Sequence, residues 1–205
     1  TGNTSIGKNN KIFSFCSIGS IPQDLKFSGE ESFVKIGDSN TFREFCTINS
    51  GTEGGGYKTI IGNKSLFMTA VHIAHDCIVG NNVIMANIAT LGGHVEIGDW
   101  CNIGGGAMIH QFVKIGRQSL IGGGFSAKQD VPPFIIGAGI PLRFVGINKI
   151  GLERREFSKE VRAIIKKTYR TYFKSKLNRG EALKVIKNEI SQIDEVKEIV
   201  SFIES

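Results

Sequence analysis

Four histidines, His72, His75, His94 and His110, are the side chains of this sequence able to take or give a proton near neutral pH. Asp76 follows His75 directly, and a carboxylate beside an imidazole can orient the ring and make it a better base. Four cysteines, Cys16, Cys46, Cys77 and Cys101, are the other reactive groups to place. Whether any of these residues meet depends on the elements that carry them.

Those elements follow a repeat. From Ile61 a bulky apolar residue returns every six positions: Ile61, Phe67, Ile73, Val79, Met85, Leu91, Ile97, Ile103, Ile109, Ile115 and Ile121, with Ala127 closing the series. Two positions before each stands a small or β-branched residue, such as Thr59, Ala89, Val95 or Ser119, and glycine often follows the apolar one. The same frame occurs at Ile6, Ile12, Ile18 and at Ile36, Phe42, Ile48. A period of six suits neither an α-helix nor an alternating strand. It suits a triangular coil of three short strands, three times six residues per turn, each face sending one large residue inward. The frame breaks at residues 20–33 and 49–59, which read as loops leaving the coil and as candidate binding elements.

The coil gathers the histidines. Counted from Ile61 in steps of 18, His110 has phase 13, His75 phase 14 and His94 phase 15. Gln111 shares its phase with His75, Asp76 shares its phase with His94, and His72 lies one strand-length before His75. They belong to one corner of three successive coils, stacked about 4.8 Å apart. Three uses are open: corner histidines bonded to backbone, a metal site as in β-helix carbonic anhydrases, or general acid–base catalysis beside a polar cleft. No ligand spacing matches a metal site, so no metal is expected and the acid–base reading is preferred. All four cysteines sit in the small slot two before a frame residue, which is a packing role, and no disulfide framework is implied.

The coil is expected over residues 1–143. The first six residues already read as turn and repeat, so the chain is expected to start inside a structure. Beyond Pro132-Pro133 the hexad stops, and residues 144–205 form an expected helical domain, with Ser158 and Asp194 as caps and Gly180 as a separator. The net charge of +6 is concentrated there: 14 basic and 9 acidic residues, against 11 and 10 before. A basic tail suits an acidic partner, and Arg162, Lys166, Lys167 and Arg170 are candidates to dock one. No nucleic-acid module is visible, and no apolar run is long enough for stable membrane insertion.

The segment Thr69-Ala70-Val71-His72-Ile73-Ala74-His75-Asp76-Cys77 resembles the active-site stretch of UDP-N-acetylglucosamine O-acyltransferases. In order and spacing, so do Gln23-Asp24-Leu25-Lys26, Gly92-Gly93-His94-Val95, Ile109-His110-Gln111-Phe112, Gln129-Asp130-Val131-Pro132-Pro133, and Gly146-Ile147-Asn148 with Gly151-Leu152-Glu153-Arg154-Arg155. The resemblance spans nearly the whole chain. It implies a left-handed parallel β-helix with a small α-helical C-terminal domain. It also implies a cytoplasmic homotrimer with clefts between subunits, and transfer of an (R)-3-hydroxyacyl group from acyl carrier protein to the glucosamine 3-hydroxyl in lipid A biosynthesis.

On that resemblance His75 is the general base, Asp76 holds its ring, and the Gly93 N–H faces the oxyanion. Gln23, Asp24 and Lys26 would bind the acyl and sugar region; His72, His94, His110 and Gln111 would line the cleft. Asn148, Arg154 and Arg155 would hold the nucleotide. No cofactor is implied. Gly123 falls at the family's chain-length ruler: it lies 48 residues beyond His75, or 48/18 coils, roughly 13 Å along the rod. Glycine leaves the groove open, so an acyl chain of about fourteen carbons is expected. Two departures stand out: relatives carry further coils before this sequence begins, and Ile150 replaces an acidic nucleotide contact. Rival readings are an N-acyltransferase acting on a UDP-3-amino sugar and a non-enzymatic β-helix scaffold.

Overall fold

The computed structural model describes residues 3–205; Thr1 and Gly2, expected to begin the first turn, lie outside that range. The chain winds into a left-handed parallel β-helix with three faces, each a parallel sheet, followed by four α-helices. From Leu66 to Ala127 every strand is two residues long, because each face holds one outward and one inward side chain before the next corner. The inward residues from Ile61 to Ile121 form a continuous column, none more than 3 % exposed. Burying each such side chain is worth about 1.5–3 kcal/mol, and the column repeats that gain at every face. Ile6 and Ile12, in frame with it, are exposed on the first coil.

Register shows where the excursions leave. Ile61 pairs with Val79, and Val79 with Ile97, at the regular 18 residues. Ile6 pairs instead with Ile36, and Ile36 with Ile61, so those two coils carry extra chain. The first excursion lies between strands Ser17–Ser20 and Phe33–Ile36. The second lies between Thr47–Asn49 and Lys58–Ile61 and contains a 3-10 turn at Glu53–Gly55.

The far end differs in detail from the sequence reading. Strand Ile135–Ala138, beyond the prolines, still pairs parallel with Leu120–Ile121, then turns back antiparallel into Arg143–Ile147. The change to helix falls there rather than at 143. Helix α1 (Lys149–Arg154) was not expected; Asn148 caps it by accepting from Gly151 N–H. Helix α2 (Lys159–Lys174) starts at Ser158 as expected. Gly180 is not a separator: it lies in the first turn of α3 (Arg179–Glu189), which Asn178 and Glu181 close with a capping box. Asp194 is the first residue of α4 (Asp194–Glu204), whose cap position is Ile193. Tyr169 of α2 is buried and donates its hydroxyl to Pro133 O at 2.6 Å, and Arg117 reaches Glu198 of α4 at 2.7 Å. Leu152, Ile165, Tyr169 and Ile199 pack into the same core as the rod.

Candidate active site

A corner residue of each coil adopts left-handed backbone, which turns the chain onto the next face. At the corner of interest these are Asp76 (φ 60°), His94 (φ 60°) and Phe112 (φ 65°), successive at 18 residues. His75, Gly93 and Gln111 stack immediately beside them. The coil therefore forces His75 and Asp76 against Gly93 and His94 of the next coil, as phase counting requires.

The contacts are specific. Asp76 has no exposed side-chain surface. Its Oδ2 accepts from His75 Nδ1 at 2.8 Å and from Thr52 Oγ1 at 2.6 Å; its Oδ1 accepts from Thr52 N–H at 2.8 Å. The Asp76 N–H donates to Thr59 Oγ1 at 2.9 Å. His94 stands edge-on to His75 with centroids 5.1 Å apart, and its Nε2 is 3.7 Å from Asp76 Oδ2. The other side of His94 stacks on Phe112 at 4.4 Å. Gly93 lies against the free edge of His75: an added Cβ would meet Cε1 and Nε2. Among the described residues the Gly93 N–H donates to no protein group.

His72 lines the adjoining face, its Nδ1 2.7 Å from Thr47 Oγ1. Burial, and then the nearby His75 charge, hold its pKa below the usual imidazole value. His110, on the coil after that of His94, is exposed with Nδ1 3.2 Å from Gln111 O. Gln23, Asp24 and Lys26 stand on the first excursion, shaped locally by Asp24 Oδ1 accepting from Lys26 N–H at 3.0 Å. Among the described residues no hydrogen bond joins them to His75. Nor does one join His75 to Asn148, Arg154 or Arg155. Asn148 is buried, its Oδ1 capping α1 and its Nδ2 donating to Gln118 O at 2.8 Å, so its amide is already engaged within its own chain. Arg154 is exposed, while Arg155 lies 4.5 Å over the Trp100 ring.

Thr52, Thr59 and Phe112 are the site residues that sequence reasoning missed. Phe112 shares its phase with Asp76 and His94, and that count could have found it. Thr52 sits on a non-repeating excursion, where periodicity carries no signal.

His75, Asp76 and His94 also present ligand atoms within 4.8 Å of one another. An ion there would first have to displace the proton shared by His75 Nδ1 and Asp76 Oδ2. The cysteines play no part. Cys46, Cys77 and Cys101 are buried, burial pushes each thiol up to about 12, and each points at a carbonyl across the coil, as Cys77 Sγ does at Gly92 O.

Residues 130–205 match the family described as Udp N-acetylglucosamine O-acyltransferase, Domain 2. An acyl-(acyl-carrier-protein)–UDP-N-acetylglucosamine O-acyltransferase of Aliarcobacter butzleri is 49% identical over 97% of this chain and 76% of its own length. One of the same name from Thermodesulfovibrio yellowstonii is 48% identical over 100% and 79%. The structure of a UDP-N-acetylglucosamine acyltransferase from Bacteroides fragilis superposes with a TM-score of 0.97 at 42% identity, covering 99% of this chain and 79% of that one.

Proposed function

The chain belongs to the acyl carrier protein-dependent UDP-N-acetylglucosamine O-acyltransferases, and from that premise we propose that it transfers an (R)-3-hydroxyacyl group from acyl carrier protein to the 3-hydroxyl of UDP-N-acetylglucosamine, the first step of lipid A synthesis.

The observation that carries the mechanism is the 2.8 Å hydrogen bond from His75 Nδ1 to the buried Asp76 Oδ2. A carboxylate that only accepts keeps the proton on Nδ1 and leaves the lone pair on Nε2, the atom beside Gly93. Nε2 takes the proton of the sugar hydroxyl as that oxygen attacks the thioester carbonyl. The carbonyl oxygen becomes an oxyanion, to which we assign the Gly93 N–H as donor. The C–S bond then breaks, and the departing thiolate recovers the proton from Nε2. Protons balance within the site, so the step needs no metal or bound cofactor. His94, held by Phe112, and His72, His110 and Gln111 line the route of the donor and the sugar. Arg154 and Arg155 take the nucleotide phosphates.

We assign the working form as a homotrimer in the cytoplasm. Exposed apolar side chains on the rod, among them Phe15, Ile88 and Phe112, support an interface, and Gln23, Asp24 and Lys26 would serve a neighbour's cleft. Unpaired thiols and the lack of any described helix long and apolar enough to cross a membrane suit that compartment.

The test is transfer from a 3-hydroxyacyl carrier protein to UDP-N-acetylglucosamine, in competition with its 3-amino analogue. The hydroxyl acceptor should win, and His75→Ala should be slower by about 10²–10⁴-fold with the fold intact. Preference for the amine would move the chain to the N-acyltransferase reading. Near-normal turnover by a folded His75→Ala would remove His75 from the mechanism.

A further inference from the structure

Thr52 begins the 3-10 turn Glu53–Gly55 from an extended conformation (φ −125°, ψ 168°), and its side chain does not cap that turn. The hydroxyl goes instead to Asp76 Oδ2 at 2.6 Å, and the backbone N–H of the same residue goes to Oδ1 at 2.8 Å. One residue of the second excursion therefore grips both oxygens of a carboxylate that solvent does not reach. The grip is built in on the other side too: a Cβ on Gly55 would collide with the Asp76 carboxylate. The excursion is itself tied down, since Thr52 O accepts from Tyr57 N–H at 2.8 Å and Glu30 Oε1 accepts from Glu53 N–H at 3.3 Å.

The arrangement has a chemical consequence. Asp76 Oδ2 serves two donors, the Thr52 hydroxyl and His75 Nδ1–H. Each bond draws charge from the oxygen and so weakens it as a partner for the other. We propose that Thr52 is a positioning residue of the transfer reaction: it aims Asp76 at His75 Nδ1 and sets how strongly the carboxylate favours the protonated imidazole. This rests on His75 being the base. Thr52 touches no substrate in this account. It acts through Asp76, and the excursion that interrupts the repeat exists at this corner to supply it.

The experiment compares Thr52→Val, which keeps the shape and the backbone N–H but loses the hydroxyl, with Thr52→Ser, which keeps it. For the valine variant kcat should fall about ten- to a hundredfold, the loss of one hydrogen bond to a charged group, with KM for the sugar nucleotide unchanged. Its acidic limb in the kcat–pH profile should move to higher pH, because an Oδ2 with one donor fewer holds the His75 proton more tightly. Serine should restore both. Nitrogen-15 shifts of the His75 ring, read on the unliganded protein across pH, should show Nδ1–H in both variants, with the ring's titration moved to higher pH in the valine variant alone. A valine variant with the original limb and ring titration overturns the proposal, whatever its kcat. So does a serine variant as impaired as valine, since that indicates packing. His75→Ala, run alongside, separates the cases: if it stays active, the base assignment fails; if it is dead while Thr52→Val behaves normally, only Thr52 is wrong.

Discussion

Gly93 lies so close to His75 that a Cβ on it would stand 2.5 Å from Cε1 and 2.6 Å from Nε2 of the imidazole. The obstructing atoms belong to a side chain that can swing, so the coil itself has no reason to deform. Gly93→Ala should leave the fold in place and push His75 off Asp76. Misplacing a reacting group by about an ångström costs on the order of 10²-fold. We expect kcat to fall by that much while the unfolding temperature moves by only a few degrees. A Gly93→Ala enzyme with normal kcat would mean that the ring position seen here is not the one that reacts.

Carrier docking can be tested on helix α2. Arg162, a candidate from charge alone, is largely buried and lies 3.1 Å from Glu153, which takes it out of the free surface. Lys166, Lys167 and Arg170 are exposed and line one groove with Thr171 and Ser175. Lys166→Glu with Arg170→Glu should raise KM for the acyl carrier, most steeply at low salt, and leave KM for the sugar nucleotide alone. A response confined to the sugar would show that the groove serves the nucleotide instead.

The two tests draw on different kinds of legibility. The column from Ile61 to Ile121, and with it the meeting of His75, Asp76, Gly93 and His94, could be counted from sequence because a coil of fixed period converts spacing into distance. Thr59 could have been counted too, since it fills the small slot of strand Lys58–Ile61 one coil before Cys77; Thr52 could not, since the second excursion follows no period and its path is set by what it packs against. The pairing of Arg162, the engagement of Asn148 as a cap and the start of α3 before Gly180 were hidden for a related reason. Each depends on a partner chosen by tertiary structure or by a local cap competing with a turn, and residue type alone did not decide between them.

His72 gives a prediction about acid stability. Burial first, and the His75 charge second, hold its pKa below the ordinary value in the folded chain. On unfolding it returns to about 6.5. Between those two values the unfolded chain binds the extra proton, so stability rises with pH across the window and falls as pH drops below about 6.5. His72→Gln cannot titrate and should flatten that loss. Urea midpoints at about pH 7.5 and 5.5 should differ less in the variant than in the parent chain. Equal differences would place the acid sensitivity elsewhere.

Gly123 bears on acyl length. The positive φ of the Gly122-Gly123-Gly124 turn belongs to Gly124, at 72°, so the backbone does not require glycine at 123. A Cβ there would stand 3.1 Å from Gly105 O of the coil below, a contact that a shift of a few tenths of an ångström relieves. Gly123→Met should therefore fold; its side chain stands beside the corner of Ile88, Gly106 and Gly124 rather than that of His75, so it would meet the acyl chain where the proposed trimer brings that corner of one subunit against a neighbour's His75. An acyl chain extended along the rod reaches that level near carbon ten, at roughly 13 Å from the base. Four methylenes denied burial, at about 0.8 kcal/mol each, amount to a change on the order of 10²-fold. The ratio of kcat/KM for fourteen- over ten-carbon donors should drop by that factor in the methionine variant, with the ten-carbon value itself little changed. A folded Gly123→Met enzyme with the parent's length profile would locate the ruler at another residue.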